Sequence, residues 1–216
     1  MQFQKINQNA YLLNKWAHGE TTELYIYPEE GNYAERDFLW RVSSATVASE
    51  ASDFTVLFGV KRWIMPYDAT LLLTHTNNSK PLYSITLKPY EAHCFKGDWN
   101  TTSVGKTRDF NLMLKEGAFG ILKPTKLLPD TQYDLGHLFQ EAFDERLPLA
   151  DHILTLGMYS RDTDVELVHD DVILVSARED LLLIHYTMEE VDVVKTFIIS
   201  QKTQTTSHLV LFAVTY

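Results

Sequence analysis

The chain has 216 residues, of which 45% are hydrophobic, enough to form one large domain or two smaller ones with sizeable cores. It carries 29 Asp and Glu residues against 19 Lys and Arg residues, and its formal net charge is -10. Nucleic acids and anionic lipid surfaces are recognised through dense basic surfaces, which such an acidic chain does not supply. We therefore expect no nucleic-acid partner and no membrane partner, and we attribute the acidity to solubility.

Cysteine content and the N-terminal residues indicate the compartment. Cys94 is the single cysteine, which excludes an intramolecular disulfide and a cysteine-based zinc site. Residues 1–6 lead into polar residues without an apolar stretch, so we expect no signal peptide. Apolar runs such as 181–184 are far too short to span a bilayer. The sequence therefore predicts a soluble, cytoplasmic protein.

Short segments rich in β-branched, aliphatic and aromatic residues recur along the chain, with turn residues between most of them. In the N-terminal half the predicted strands are 22–27, 39–46, 53–58, 61–65, 70–76, 82–87 and 109–115. In the C-terminal half they are 152–159, 165–168, 172–176, 181–186, 195–200 and 208–215. Many short strands at this spacing are typical of an all-β sandwich or barrel.

A connector between two β units is predicted in the middle of the chain. Residues 114–151 contain more glycine and proline than their neighbours, including Gly120 and Pro124, and about six predicted strands lie on each side. The best helix candidate, residues 135–145, falls in this connector, and we interpret it as a packing element. We therefore expect two domains, 1–120 and 121–216.

Two predicted strands carry polar side chains on one face and bulky apolar side chains on the other. Arg41 and Ser43 share a face of the first strand, and Asp109 and Asn111 share a face of the second, because side chains alternate with a period of two. Such faces are suited to line a polar pocket. The alternative is that these side chains point into solvent or form a structural ion pair.

The segment 16–23 offers further candidate ligand contacts. Trp16 supplies a flat apolar wall, Gly19 permits close backbone approach, and Glu23 supplies a carboxylate at the start of a strand. The alternative is a buried Trp16 that anchors an N-terminal loop, with Glu23 exposed or paired to Arg41.

Common catalytic and metal-binding signatures are absent from the sequence. We find no phosphate-binding glycine loop, no Gly-x-Ser-x-Gly elbow and no His-Glu-x-x-His motif. The eight histidines are scattered singly, and His75 has Asn77 rather than a second histidine at i+2. We therefore expect no metal site and no cofactor.

Taken together, these segments resemble the opening of the HutD/Ves family. The resemblance is carried in order by residues 16–28, 36–47, 54–59 with Arg62, 95–98 and 105–113. It implies a bicupin, with two cupin-type jelly-roll β-barrels that lack the usual metal-binding histidines. HutD members sit with histidine-degradation genes and are suggested to bind a metabolite such as formylglutamate, and Ves members are linked with stress and cold. Residues 65–69 and the loop at His18 and Glu20 depart from the family pattern, so the ligand of this chain can differ.

Three functional hypotheses follow. The leading one is a metal-free protein that binds or senses a small carboxylate metabolite. In it Arg41 anchors the carboxylate, Asp109 and Asn111 orient amide or amine groups, and Trp16, Glu23 and Ser43 complete the site. The second is an enzyme that uses Glu23 or Asp109 as general base, which we favour less. The third is a structural or interaction protein, such as a homodimer that covers exposed strand edges.

Overall fold

A computed structural model describes residues 1–16, 19–143, 153–169, 172–187, 197–201 and 203–216. The described chain is nearly all β-strand, as expected, with one helix, α1 (Leu135–Phe143), and a short 3-10 turn at Gln8–Ala10. In chain order the strands are β1 (Gln2–Ile6), β2 (Leu12–Trp16), β3 (Gly19–Tyr27), β4 (Trp40–Val47), β5 (Ala51–Asp53), β6 (Val60–Pro66), β7 (Leu71–Asn77), β8 (Lys80–Leu87), β9 (His93–Lys96), β10 (Asn100–Val104), β11 (Arg108–Lys115), β12 (Phe119–Leu127), β13 (Tyr133–Asp134), β14 (Leu154–Ser160), β15 (Val165–His169), β16 (Val172–Ser176), β17 (Leu181–Tyr186), β18 (Ile198–Gln201) and β19 (Ser207–Thr215).

Residues Tyr11–Ala118 form the first of two compact units. A six-stranded antiparallel sheet has the order β2-β3-β4-β11-β6-β9, and a four-stranded sheet has the order β5-β10-β7-β8. The central strands β4 and β11 pair in register over their length, with Asn111 opposite Ser43. This pairing joins segments more than sixty residues apart and brings the two polar strand faces next to each other.

Residues Met1–Ala10 and Phe119–Tyr216 form the second unit. Its sheets have the orders β1-β17-β14-β19-β12 and β13-β18-β15-β16. Leu135 and Phe139 of α1 are buried in its apolar core, which agrees with a packing role for the predicted helix. Residues 144 and 145 of that prediction lie outside the described residues. The predicted domain boundary between residues 120 and 121 stays a prediction. The pairing of the N-terminal strand β1 with β17 was not anticipated from the sequence.

Several strands differ from the sequence prediction for identifiable reasons. β12 lies in the predicted connector, and it contains Gly120 and Pro124, which obscured it. Among the described residues β12 pairs with β19 alone in its sheet, and proline is tolerated on such an edge strand because its missing N–H need not serve a second neighbour. The strand predicted at 53–58 is instead β5, which ends at Asp53, followed by irregular backbone.

No helix among the described residues is both long enough and apolar enough to cross a membrane.

Candidate functional site

The polar face of the first unit's large sheet is built by three neighbouring strands. Asn111 of β11 lies opposite Ser43 of β4, and Ser43 lies opposite Glu23 of β3. Arg41 lies two residues before Ser43, and Asp109 lies two residues before Asn111, so both side chains are on this face. The opposite face of β4 and β11 is buried and apolar: Trp40, Val42, Phe110, Leu112 and Leu114. Arg41, Ser43, Asp109 and Asn111 are also buried, so the alternative that they point into solvent is wrong.

A cavity of about 540 Å³ lies against this polar face. Its volume is in the range of small-molecule sites. The six residues predicted to bind a ligand all line it: Trp16, Glu23, Arg41, Ser43, Asp109 and Asn111. That they bind a ligand stays a prediction, but the fold brings them together around one space.

Arg41 and Glu23 form a buried ion pair on the cavity wall. The Arg41 Nε donates to Glu23 Oε2 at 2.6 Å, and their side chains are only 3% and 10% exposed. Arg41 Nη1 also donates to Ser43 Oγ at 2.9 Å, and the guanidinium lies over the Tyr33 ring, 4.2 Å from its centroid. Glu23 therefore positions Arg41, which agrees with the structural ion pair considered from the sequence.

Arg62 of β6 is a second cationic side chain on the cavity wall, and it was not among the site residues expected from the sequence. It is 7% exposed, and its guanidinium lies 4.7 Å from the Phe54 ring centroid and 5.4 Å from that of Phe95. Its Nη1 reaches the Thr55 carbonyl oxygen only at 3.5 Å, and its Nε has no hydrogen-bond partner among the described residues. Burial lowers the pKa of Arg62 to about 10, so the guanidinium stays protonated at neutral pH.

A sequence signal for Arg62 exists in the alternation of β6. Val60, Arg62 and Ile64 are buried at alternate positions in the first part of this strand, whereas Lys61 between them is exposed. A cation on the core-facing side of a strand is unusual, because an isolated buried charge is costly. Because side chains alternate with a period of two, the sequence alone places Arg62 on the same strand face as the apolar Val60 and Ile64. A cation on an apolar face is the pattern that could have indicated a site residue.

Asp109 and Asn111 form a hydrogen-bonded pair beside the two guanidinium groups. Asn111 Nδ2 donates to Asp109 Oδ1 at 2.5 Å, and Asn111 Oδ1 is buried without a partner among the described residues. Burial raises the pKa of Asp109 to about 7, although the charge of Arg62 and hydrogen bonds from Asn111 and the Ala45 backbone oppose the rise. Near neutral pH the carboxyl group of Asp109 is therefore partly protonated. The wall then holds the guanidinium groups of Arg41 and Arg62, the first of them paired with Glu23, beside an Asp109 that carries less than a full negative charge.

Trp16 and Gly19 shape the edge of the site. Trp16 is 38% exposed and donates from Nε1 to Thr21 Oγ1 at 3.2 Å. A Cβ atom on Gly19 would overlap the carbonyl oxygen of Thr46, so this glycine permits close packing of β3 on β4. His18 of the same segment lies outside the described residues.

The raised pKa of Asp109 predicts how stability depends on pH. The folded protein holds this proton up to about pH 7, whereas an unfolded chain releases it near 3.8, so the folded state binds more protons between these values. The free energy of unfolding contributed by this group should therefore fall as the pH rises from about 4 to about 7. We expect the stability of Asp109→Asn relative to wild type to increase across this window by on the order of 3–4 kcal/mol.

Urea unfolding of both proteins at pH 4.5, 5.5, 6.5 and 7.5 measures this difference. The histidines titrate in both proteins, so their contributions cancel when the wild type is subtracted from the variant. A difference that stays constant with pH would mean that Asp109 ionises normally in the folded state.

Within the described residues, no group of three or more His, Cys, Asp and Glu side chains is arranged to hold a metal ion.

The family model for HutD matches residues 8–192 of the chain. A conserved protein of unknown function from Pseudomonas aeruginosa PAO1 superposes with a TM-score of 0.71 at 16% identity, over 99% of both chains. The structure of HutD from Pseudomonas fluorescens SBW25 described as the formate condition superposes with a TM-score of 0.61 at 16% identity, over 100% of both chains. Bacillus subtilis oxalate decarboxylase gives 0.60 at 6% identity, over 97% of this chain and 76% of that one. These structures show a shared fold alone, and the expected all-β, cupin-like class is confirmed.

Proposed function

Because the chain belongs to the HutD family and has a cavity lined by the buried guanidinium groups of Arg41 and Arg62, we propose that it binds a small carboxylate ligand there, without a metal ion, as a sensing or accessory protein. A link to histidine utilisation or a stress response is part of this proposal. This link rests on the family resemblance alone, whereas the carboxylate binding rests on the cavity.

The observation that carries the proposal is the unpaired guanidinium of Arg62. A buried cation loses its hydration, and this cost is usually offset by a charged partner with matching hydrogen bonds. Among the described residues Arg62 forms no salt bridge and its Nε has no acceptor, and burial lowers its pKa although the charge of Asp109 acts to raise it. A ligand carboxylate would supply both the opposite charge and oxygens that match the planar fork of the guanidinium.

The neighbouring groups restrict the rest of the ligand. The sequence favoured Arg41 as the anchor, but Glu23 already occupies its Nε and Ser43 its Nη1, so Arg62 is the better primary anchor and Arg41 a flanking one. Asn111 Oδ1, which has no partner among the described residues, is an acceptor that suits a ligand N–H or O–H group. We therefore favour a carboxylate that also carries a hydrogen-bond donor.

The test is thermal unfolding of the protein with a panel of carboxylates, confirmed by calorimetric titration. The panel contains formate, urocanate, histidine, formylglutamate and formiminoglutamate, each with and without a chelator, and uncharged amides of matched shape serve as controls. A ligand at a hundred times its dissociation constant adds about 2.7 kcal/mol of stability, which is a rise of about 5–10 °C. The proposal expects a chelator-insensitive rise with at least one carboxylate and none with its amide. Equal responses to acid and amide, or no response, would contradict it.

One observation favours an enzyme as the second candidate function. A buried carboxyl group with a pKa of about 7 is suited to act as a general base at neutral pH, and Asp109 has this property, whereas Glu23 is held by Arg41. Turnover of a bound carboxylate that is lost in Asp109→Asn, with binding retained, would support an enzyme. Binding without turnover would support the sensing role.

A further inference from the structure

Three side chains converge at a second place in the first unit. His75 Nε2 and His93 Nε2 are 3.3 Å apart, and the Tyr83 hydroxyl oxygen is also 3.3 Å from His93 Nε2. His75 is fully buried, whereas Tyr83 is exposed, so the cluster opens to the surface on one side. None of the three lines the cavity described above.

The fold brings this cluster together from both sheets. In the four-stranded sheet, His75 of β7 lies opposite Tyr83 of β8 and opposite Thr101 of β10. His93 comes from the start of β9, the edge strand of the six-stranded sheet. Because each histidine is alone on its own strand, spacing along the sequence cannot reveal the pair.

We propose that His75, His93 and Tyr83 form a binding site for one divalent transition-metal ion, such as Zn²⁺, with water completing its coordination. Two imidazole nitrogens and a phenol oxygen are ligand types suited to such ions. This site lies outside the metal-free carboxylate cavity and does not depend on it.

The spacing of the two nitrogens supports the metal. Zinc–nitrogen bonds are about 2.0–2.1 Å long, so two nitrogens bound to a tetrahedral ion lie about 3.3–3.4 Å apart. His75 Nε2 and His93 Nε2 already have this separation, so binding would need little rearrangement.

A neighbouring hydroxyl group also supports a ligand role for His75. Thr101 Oγ1, which is buried, lies 2.9 Å from His75 Nδ1. A Thr101 oxygen that accepts from Nδ1–H holds the imidazole with the Nε2 lone pair free, which is how metal-binding histidines are usually oriented.

The site is separated from the cavity by an aromatic side chain. The centroid of the Phe95 ring lies 4.9 Å from the centroid of the His75 ring. The same Phe95 centroid lies 5.4 Å from Cζ of Arg62. A variant at the histidine cluster should therefore leave carboxylate binding in place, and the two proposals can fail separately.

The test is titration of tag-free, chelator-treated protein with Zn²⁺ and Co²⁺, by calorimetry and by the visible spectrum of bound Co²⁺. We expect one ion per chain, at least a hundredfold weaker binding in His93→Gln, and about tenfold weaker binding in Tyr83→Phe. The matched control is His137→Gln, an exposed histidine on α1 of the second unit, which should bind as wild type does. The carboxylate response of His93→Gln should equal that of wild type.

A wild-type protein that binds no metal, or binding that His93→Gln leaves unchanged, would overturn the proposal and leave a hydrogen-bonded imidazole pair. If His93→Gln does not fold, imidazole ¹⁵N spectra of the wild type decide instead. Zn²⁺ must then shift the Nε2 signals of two histidines at one equivalent, and a spectrum without that change would overturn the site.

Discussion

Replacing Arg62 with methionine should weaken carboxylate binding by one to two orders of magnitude or more while leaving the free energy of unfolding unchanged or slightly higher. The guanidinium is buried and forms no salt bridge among the described residues, and burial lowers its pKa although the charge of Asp109 acts to raise it, so its removal relieves a net desolvation cost. Methionine retains much of the apolar contact with Phe54 and Phe95. The ligand, in contrast, loses charged hydrogen bonds of about 1.5–3 kcal/mol each, so its affinity should fall by one to two orders of magnitude or more.

Calorimetric titration with the best carboxylate of the panel measures the affinity, and urea unfolding without ligand measures the stability. The matched control is Lys61→Met, which removes a cation from the neighbouring, exposed position of the same strand and should change neither quantity. Arg62→Lys keeps the charge but loses the planar fork, and it should bind with intermediate affinity. A strongly destabilised Arg62→Met that still binds the ligand would assign Arg62 to the fold and place the anchor elsewhere.

The polar faces of β4 and β11 could be predicted from the sequence because alternation with a period of two is a local property. Their adjacency could not, since Asn111 pairs with Ser43 through contacts that depend on the whole sheet. Arg62 shows a different limit. Its strand was predicted, and alternation places it on the face of Val60 and Ile64, but a single cation in a strand is usually exposed, so the sequence signal was outweighed until the structure showed Arg62 on the cavity wall.

Strands and clusters that form only through contacts between distant segments of the chain could not be predicted from local patterns. β1 is a short polar strand that is defined by its pairing with β17, some 180 residues away. His75 and His93 meet because two sheets bring them together, whereas a sequence search looks for histidines on one strand. The sequence therefore predicted the all-β class and the lining residues of one wall, while the opposite wall depends on tertiary structure.

Breaking the Arg41–Glu23 pair should destabilise the protein far more than removing Arg62. Arg41→Met leaves Glu23 as a buried carboxylate without its cation, and Glu23→Gln leaves Arg41 without its anion. Each single variant should lose about 3–5 kcal/mol of unfolding free energy, or roughly 10 °C in the midpoint of thermal unfolding. The double variant, in which neither charge is left alone, should recover a large part of this loss, so the two substitutions are strongly non-additive.

The chain contains a matched pair that isolates the effect of burial. Lys106 Nζ lies 2.6 Å from Glu50 Oε1, the same separation as in the buried pair, but these side chains are 53% and 79% exposed. Because water screens an exposed pair, Lys106→Met should cost less than about 1 kcal/mol. Urea unfolding of the five proteins, namely wild type, the two buried single variants, their double variant and Lys106→Met, compares the pairs directly. If Arg41→Met proves as mild as Lys106→Met, the cavity wall is hydrated in solution, and the desolvation that favours carboxylate binding at Arg62 would be lost with it.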